Sequence, residues 1–284
     1  MAISKVGVIG CGLMGSGIAQ VSAQAGFKTL VREVNAEALA KGLKSIETYF
    51  DKQIPKGKAT EFQRRMVKDN LRGVVDLQDL RDCDLIIEAI PENLELKNRT
   101  WQELDAACPP STIFATNTSS LKVMDQAVAT KRPDRFVGLH FFNPVPVMKL
   151  VEVVRSEKTS TESFESAAHY VKMIDKTACA CVDTTGFVVN RLLVPYMLDA
   201  IRALEQGIAS AKDIDSAMVQ GCGYPMGPFV LLDFVGLDTT LHIADIMTRE
   251  FGKEQYNAPE LLRKMVAEGK LGKKSGKGFY DYGK

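Results

Sequence analysis

Short apolar runs alternate with longer stretches of helical period along the first two-thirds of the chain. Val6 to Ile9, Lys28 to Val34, Leu71 to Val75, Leu85 to Ile90, Ile113 to Thr116, Phe136 to Phe142, Lys149 to Val154 and Cys179 to Val182 read as strands. The near-continuous run Leu85 to Ile90 has the composition of a parallel strand covered on both faces. Helical stretches lie between them, at about Met14–Ala25, Asn35–Ala59, Thr60–Lys68, Leu94–Ala107 and Thr161–Ile174. Pro55 and Gly57 separate the second from the third and make a charged helical hairpin. Alternating strand and helix imply a mostly parallel sheet wound on both faces.

The alternation stops at Asp183-Thr184-Thr185-Gly186. Phe187 to Gln206 then carries Leu192, Leu193, Tyr196, Met197, Ala200, Ile201 and Leu204, a helical stripe that Pro195 should kink and Gly207 should end. Ser210 with Asp213 resembles a capping box. Gly221 to Pro228 reads as a loop, and further helices follow to about Glu268. The expectation is an α/β domain over residues 1–184, with the hairpin as an insertion, and an all-helical domain over 185–284. An all-helical segment of that size often builds a dimer interface.

Phe136 to Phe142 and Lys149 to Val154 flank Asn143-Pro144-Val145-Pro146, which predicts an antiparallel pair. A turn centred on Pro146 sets His140 opposite Glu152. Directly opposed residues share a face, with Cβ atoms about 5 Å apart. A histidine in an apolar run is commonly a hydrogen-bonded core residue. A facing carboxylate makes it a candidate acid–base pair instead.

The first strand runs into Gly10-Cys11-Gly12-Leu13-Met14-Gly15, a Gly-x-Gly-x-x-Gly turn that opens a helix. In that context Gly10 permits the turn, Gly12 lets a pyrophosphate approach, and Gly15 lets the helix pack closely on the strand. The helix start favours phosphate. Glu33 ends the next strand, about 20 residues on, where an acid meets the adenosine ribose. This is a Rossmann-type dinucleotide site. Pro91-Glu92-Asn93 and Asn117-Thr118-Ser119-Ser120 follow strands at the edge where such sheets bind ligands. The small polar residues could cap a helix or reach a ligand. The lysines of the hairpin, among them Lys52 and Lys56, form either a solvated face or a cationic rim for a phosphorylated substrate.

Composition narrows the rest. A length of 284 residues suits two domains. A net charge of +1 argues against nucleic-acid binding through bulk charge. No apolar stretch is long enough to span a membrane. The first strand starts near Lys5, which leaves no room for a targeting leader, so a cytoplasmic protein is expected. Six scattered cysteines without a Cys-x-x-Cys pattern fit a reduced compartment. His140, His169 and His242 lack metal-ligand spacing, so no metal is expected.

Gly138 to Val153 resembles the signature of the L-3-hydroxyacyl-CoA dehydrogenases. So do Asn117 to Leu121, Gly186 to Arg191, Gly223 to Pro228 and Ser275 to Tyr280. The resemblance covers essentially the whole chain, whose short length and bare N-terminus resemble the stand-alone bacterial 3-hydroxybutyryl-CoA dehydrogenases. It implies NAD-linked interconversion of (S)-3-hydroxyacyl-CoA and 3-oxoacyl-CoA; the homodimer is expected from the helical domain. The resemblance implies His140 as the base, Glu152 as its orienting partner, and Ser119 and Asn190 around the substrate oxygen. It also implies that Glu33, Glu92, Lys97, Ser119 and Asn143 line the cofactor site, and that Lys52 and Lys56 meet coenzyme A. Many members have Asp where this chain has Glu33, and the neighbouring Arg32 leaves NADP open as an alternative. Three rivals remain at this level: a hydroxyacid or polyol dehydrogenase without coenzyme A, a non-catalytic nucleotide-binding protein, and a phosphogluconate-type enzyme with a catalytic lysine.

Overall fold

The computed structural model describes residues 3–283. The chain divides after Thr184 into two compact units. The first unit is built on one sheet of eight strands. β1 (Lys5–Ile9), β2 (Lys28–Arg32), β3 (Leu71–Val74), β4 (Leu85–Glu88), β5 (Ile113–Thr116), β6 (Phe136–Phe141), β7 (Leu150–Arg155) and β8 (Thr177–Val182) lie in the order β3-β2-β1-β4-β5-β6-β7-β8. Every neighbouring pair is parallel except β6 and β7. α1 (Leu13–Gln24), α2 (Ala36–Gln53), α3 (Glu61–Asn70), α4 (Leu94–Ala107), α5 (Val123–Ala127) and α6 (Thr161–Met173) connect them.

Period-two alternation sorts the strand side chains onto two faces. Leu85, Ile87, Ile113, Ala115, Val137, Leu139, Val151 and Val153 join Ile18 and Ala19 of α1 and Tyr170 and Val171 of α6 in one core. The residues between them turn the other way. There Trp101 of α4 stacks on Phe114 with ring centroids 5.0 Å apart and meets Phe136 edge-on at 4.9 Å. By the same parity Glu88, Thr116, His140 and Glu152 belong to this second face, close to the carboxyl ends of the parallel strands.

The hairpin helices start where their caps dictate. Asn35 accepts the Ala38 amide, and Thr60 and Gln63 form a reciprocal capping box. α2 stops at Gln53, six residues short of the expected end, ahead of Pro55 and the left-handed Gly57. β8 begins two residues earlier than its apolar run suggests, because Thr177 and Ala178 pair with Leu150 and Val151.

The second unit is helical: α7 (Val189–Glu205), α8 (Ala211–Cys222), α9 (Pro228–Val235), α10 (Leu237–Phe251) and α11 (Glu260–Ala267). Its core gathers Met197, Leu198, Ile201, Phe229, Leu232, Leu237, Met247 and Leu262. α7 starts at Val189, since Gly186 and Phe187 both have positive φ. α8 keeps Gly221 and ends on left-handed Gly223, so the expected loop is shorter. No helix among the described residues is long and apolar enough to cross a membrane.

Candidate active site

The glycine turn lies at the carboxyl end of β1. Gly10 has φ +93°, donates its amide to Arg32 O at 2.8 Å, and has no room for a Cβ beside the Ala89 carbonyl, 2.7 Å away. A Cβ on Gly15 would run into the Gly10 carbonyl, whereas one on Gly12 would meet nothing within 4 Å. Gly15 therefore closes the turn, and the space above Gly12 is open. α1 begins there with no side chain capping its first turn, Leu13 exposed and Met14 half-buried. Uncapped first-turn amides at a helix start are ready donors for phosphate oxygens.

Glu33 lies one residue past β2. Its Oε2 accepts the Cys11 amide at 2.8 Å and its Oε1 accepts the Val34 amide at 2.7 Å. The carboxylate thus holds the glycine turn and keeps lone pairs for another donor. Arg32 directs its Nε to Val75 O at 3.1 Å. Burial, with Glu33 nearby, pushes the Cys11 thiol up to about 11, so it stays protonated. Gly42 of α2 packs against Cys11 so tightly that a Cβ would collide with it. No sequence motif marks Gly42.

β6 and β7 pair with His140 opposite Glu152, in the register that a turn about Pro146 predicts. His140 Nδ1 and Glu152 Oε2 are 2.6 Å apart, with Glu152 fully buried and His140 7% exposed. The His140 ring packs on Phe142 with centroids 4.5 Å apart. Asn117, at the end of β5, accepts the Phe141 amide at 2.9 Å and so ties the neighbouring loop to the His140 strand.

That loop is gathered by Glu92. One carboxylate oxygen, Oε1, accepts the Thr118 hydroxyl, the Ser119 amide at 3.1 Å, the Ser120 amide at 3.2 Å and the Ser120 hydroxyl at 3.0 Å. The other oxygen lies 3.1 Å from Lys97 Nζ. Lys97 is 1% exposed and also meets Glu88 at 2.6 Å. Burial works to raise the Glu92 carboxyl, but Lys97 and the loop hydroxyls prevail and hold it below its ordinary value. For Glu88 burial prevails and raises it, against Lys97 and Thr116.

Asn143 is exposed in the turn after β6, and Lys52 and Lys56 are exposed at the end of α2 and in the hairpin loop. An open cavity of about 650 Å³ beside the hairpin is lined by Tyr49, Lys58, Phe62, Lys149 and Lys176 among others, and not by Lys52 or Lys56. Asn190 sits in the first turn of α7, in the second unit. No group of His, Cys, Asp or Glu among the described residues is arranged to hold a metal. Asp183, which the sequence suggests only as a boundary, caps α5 through the Val123 and Met124 amides at 2.9 and 2.7 Å.

The model of the 3-hydroxyacyl-CoA dehydrogenase NAD-binding domain matches residues 5–184, and that of the C-terminal domain matches residues 186–282. The chain belongs to the 3-hydroxyacyl-CoA dehydrogenase family. It is 48% identical to the human mitochondrial hydroxyacyl-coenzyme A dehydrogenase, over 99% of this chain and 91% of that protein. The crystal structure of FadB2 from Mycobacterium tuberculosis superposes with a TM-score of 0.96 at 46% identity, covering all of both chains. That of the (S)-3-hydroxybutyryl-CoA dehydrogenase PaaH1 from Ralstonia eutropha gives 0.95 at 38% identity, again over all of both chains. The first unit is thus the family's NAD-binding domain, and the cofactor is NAD. The open space over Gly12, the uncapped start of α1 and the Glu33 carboxylate fit that dinucleotide.

Proposed function

We propose that the protein interconverts (S)-3-hydroxyacyl-CoA, chiefly 3-hydroxybutyryl-CoA, and 3-oxoacyl-CoA, with His140 as general acid and base. The observation that carries this reading is the 2.6 Å contact between His140 Nδ1 and a fully buried Glu152 at the ligand-binding edge of the sheet. Bound NAD supplies the two-electron acceptor for the hydrogen on the substrate's hydroxyl-bearing carbon.

Glu152 accepts Nδ1–H and fixes the ring, which presents Nε2 to the substrate oxygen. In the oxidative direction Nε2 takes the 3-hydroxyl proton, and the charge that develops on the ring lies against the Glu152 carboxylate. In the reductive direction the same nitrogen returns the proton to the carbonyl oxygen. Ser119 places the substrate oxygen, and Asn190 matches the family's second position for that role. The amides at Gly12 to Gly15 take the pyrophosphate. Glu92, with Lys97 behind it, orders the loop on the cofactor side, and Asn143 lines the cofactor site with them. Lys52 and Lys56 meet the phosphates of coenzyme A from the hairpin.

The Glu33 carboxylate suits a ribose diol and repels a 2′-phosphate. Arg32 spends its Nε on the Val75 carbonyl and keeps its terminal nitrogens, so the preference rests on the Glu33 carboxylate. NADH is therefore the preferred form, and a higher kcat/KM with NADPH would overturn this. The six free thiols accord with a reducing, cytoplasmic setting.

Oxidation of NADH with acetoacetyl-CoA, and then with longer 3-oxoacyl-CoAs, tests the assignment. Turnover is expected with the acyl-CoA series, with competition by free coenzyme A. Turnover confined to hydroxyacids or polyols, unaffected by coenzyme A, would replace the reading with the rival dehydrogenase class.

A further inference from the structure

Glu88 ends an otherwise apolar strand and has no exposed surface. Both of its oxygens are engaged. Oε1 accepts Lys97 Nζ at 2.6 Å and the Ile90 amide at 2.8 Å, and Oε2 accepts the Thr116 hydroxyl at 2.8 Å. Burying an ion pair of this kind gains little over an apolar filling of the same volume, so stability alone does not account for it. Its geometry offers another reason. Lys97 stands between two carboxylates, Glu88 and Glu92. Glu88 is fixed by a strand, a backbone amide and a neighbouring strand's hydroxyl, whereas Glu92 lies in a loop. The ammonium therefore transmits a fixed position to Glu92. Glu92 in turn gathers Thr118, Ser119 and Ser120 on a single oxygen. Thr116, the second anchor of Glu88, leads directly into the same loop. Asn117 then carries the register to the Phe141 amide, next to His140.

We propose that Glu88 is a positioning residue for the reaction: through Lys97 and Thr116 it fixes Glu92 and the loop that presents Ser119. It touches neither substrate nor cofactor. The inference rests on the reading above in one respect, that Ser119 contacts the reacting molecules.

Two variants separate positioning from stability. Glu88→Gln keeps the shape and removes the charge from Lys97. Thr116→Val keeps the ion pair and removes one anchor. The readouts are kcat and KM with acetoacetyl-CoA and NADH, and amide hydrogen exchange across residues 117–121, which reports local opening without turnover. In both variants exchange should rise in this loop and not in the strands, and kcat should fall, on the order of tenfold for Glu88→Gln, with KM values changing less. Wild-type kcat in a folded variant overturns the proposal, as does a kcat loss without increased loop exchange. Should Glu88→Gln fail to fold, Thr116→Val decides by the same criteria. An unreactive wild-type protein would instead sink the functional reading. The exchange data would still show whether Glu88 holds the loop.

Discussion

Gly12 and Gly15 stand one helical turn apart and do opposite things. A methyl on Gly15 collides with the Gly10 carbonyl, while one on Gly12 points into open space. Gly15→Ala should therefore lose stability, by about 1–3 kcal/mol as an overpacked site does. Gly12→Ala should melt like the wild type but bind NADH more weakly. Thermal melts and NADH titration check both, and a Gly12→Ala protein with unchanged NADH affinity would place the pyrophosphate elsewhere. The site was legible in the sequence where a residue's partner is fixed by symmetry or spacing. His140 and Glu152 are equidistant from a turn, and the glycines have set offsets. Glu88 was not legible. An acid closing an apolar run looks like the point where a strand meets solvent, and only the fold reveals Lys97 over it.

At the level of elements, pattern located the strands and helices of the sheet domain, and local chemistry set their ends. Pro55, left-handed Gly57 and the capping box at Thr60 cut one expected long helix short and start the next. The start of β8 could not be read, because Thr177 and Ala178 are held by pairing to β7 and not by an apolar side. The link between α4 and the segment before β6 is one element-scale feature that sequence hides. Arg132 and Asp105 form an ion pair at 2.6 Å, 9% and 8% exposed, and Arg132 also donates to the Asp105 and Cys108 carbonyls. Removing one partner strands a buried charge. Asp105→Ala should therefore cost about 3–5 kcal/mol in denaturant unfolding. A loss below about 1 kcal/mol, the range of exposed pairs, would show that solvent reaches Arg132.

On the scale of the whole molecule, two units each hold their own core, as the change from alternating to purely helical pattern suggests. The helical unit leaves Leu192 70%, Ile208 69% and Phe234 57% exposed. Large apolar side chains in the open on one unit fit coverage by a second copy, so light scattering at micromolar concentration should give a dimer mass. A monomer mass would contradict the expectation of a dimer. The sheet domain brings a glycine turn, an acid-gathered loop and a histidine–carboxylate pair to one edge. The central claim is that His140 and Glu152 work there as one acid–base unit. A double-mutant cycle on kcat with acetoacetyl-CoA tests it most directly. Glu152→Gln should lower kcat on the order of 10² with NADH binding near normal, and His140→Ala should lower it at least as much. The double mutant should be scarcely slower than His140→Ala alone. Losses that multiply as independent effects would contradict the account and leave Glu152 a residue of the fold.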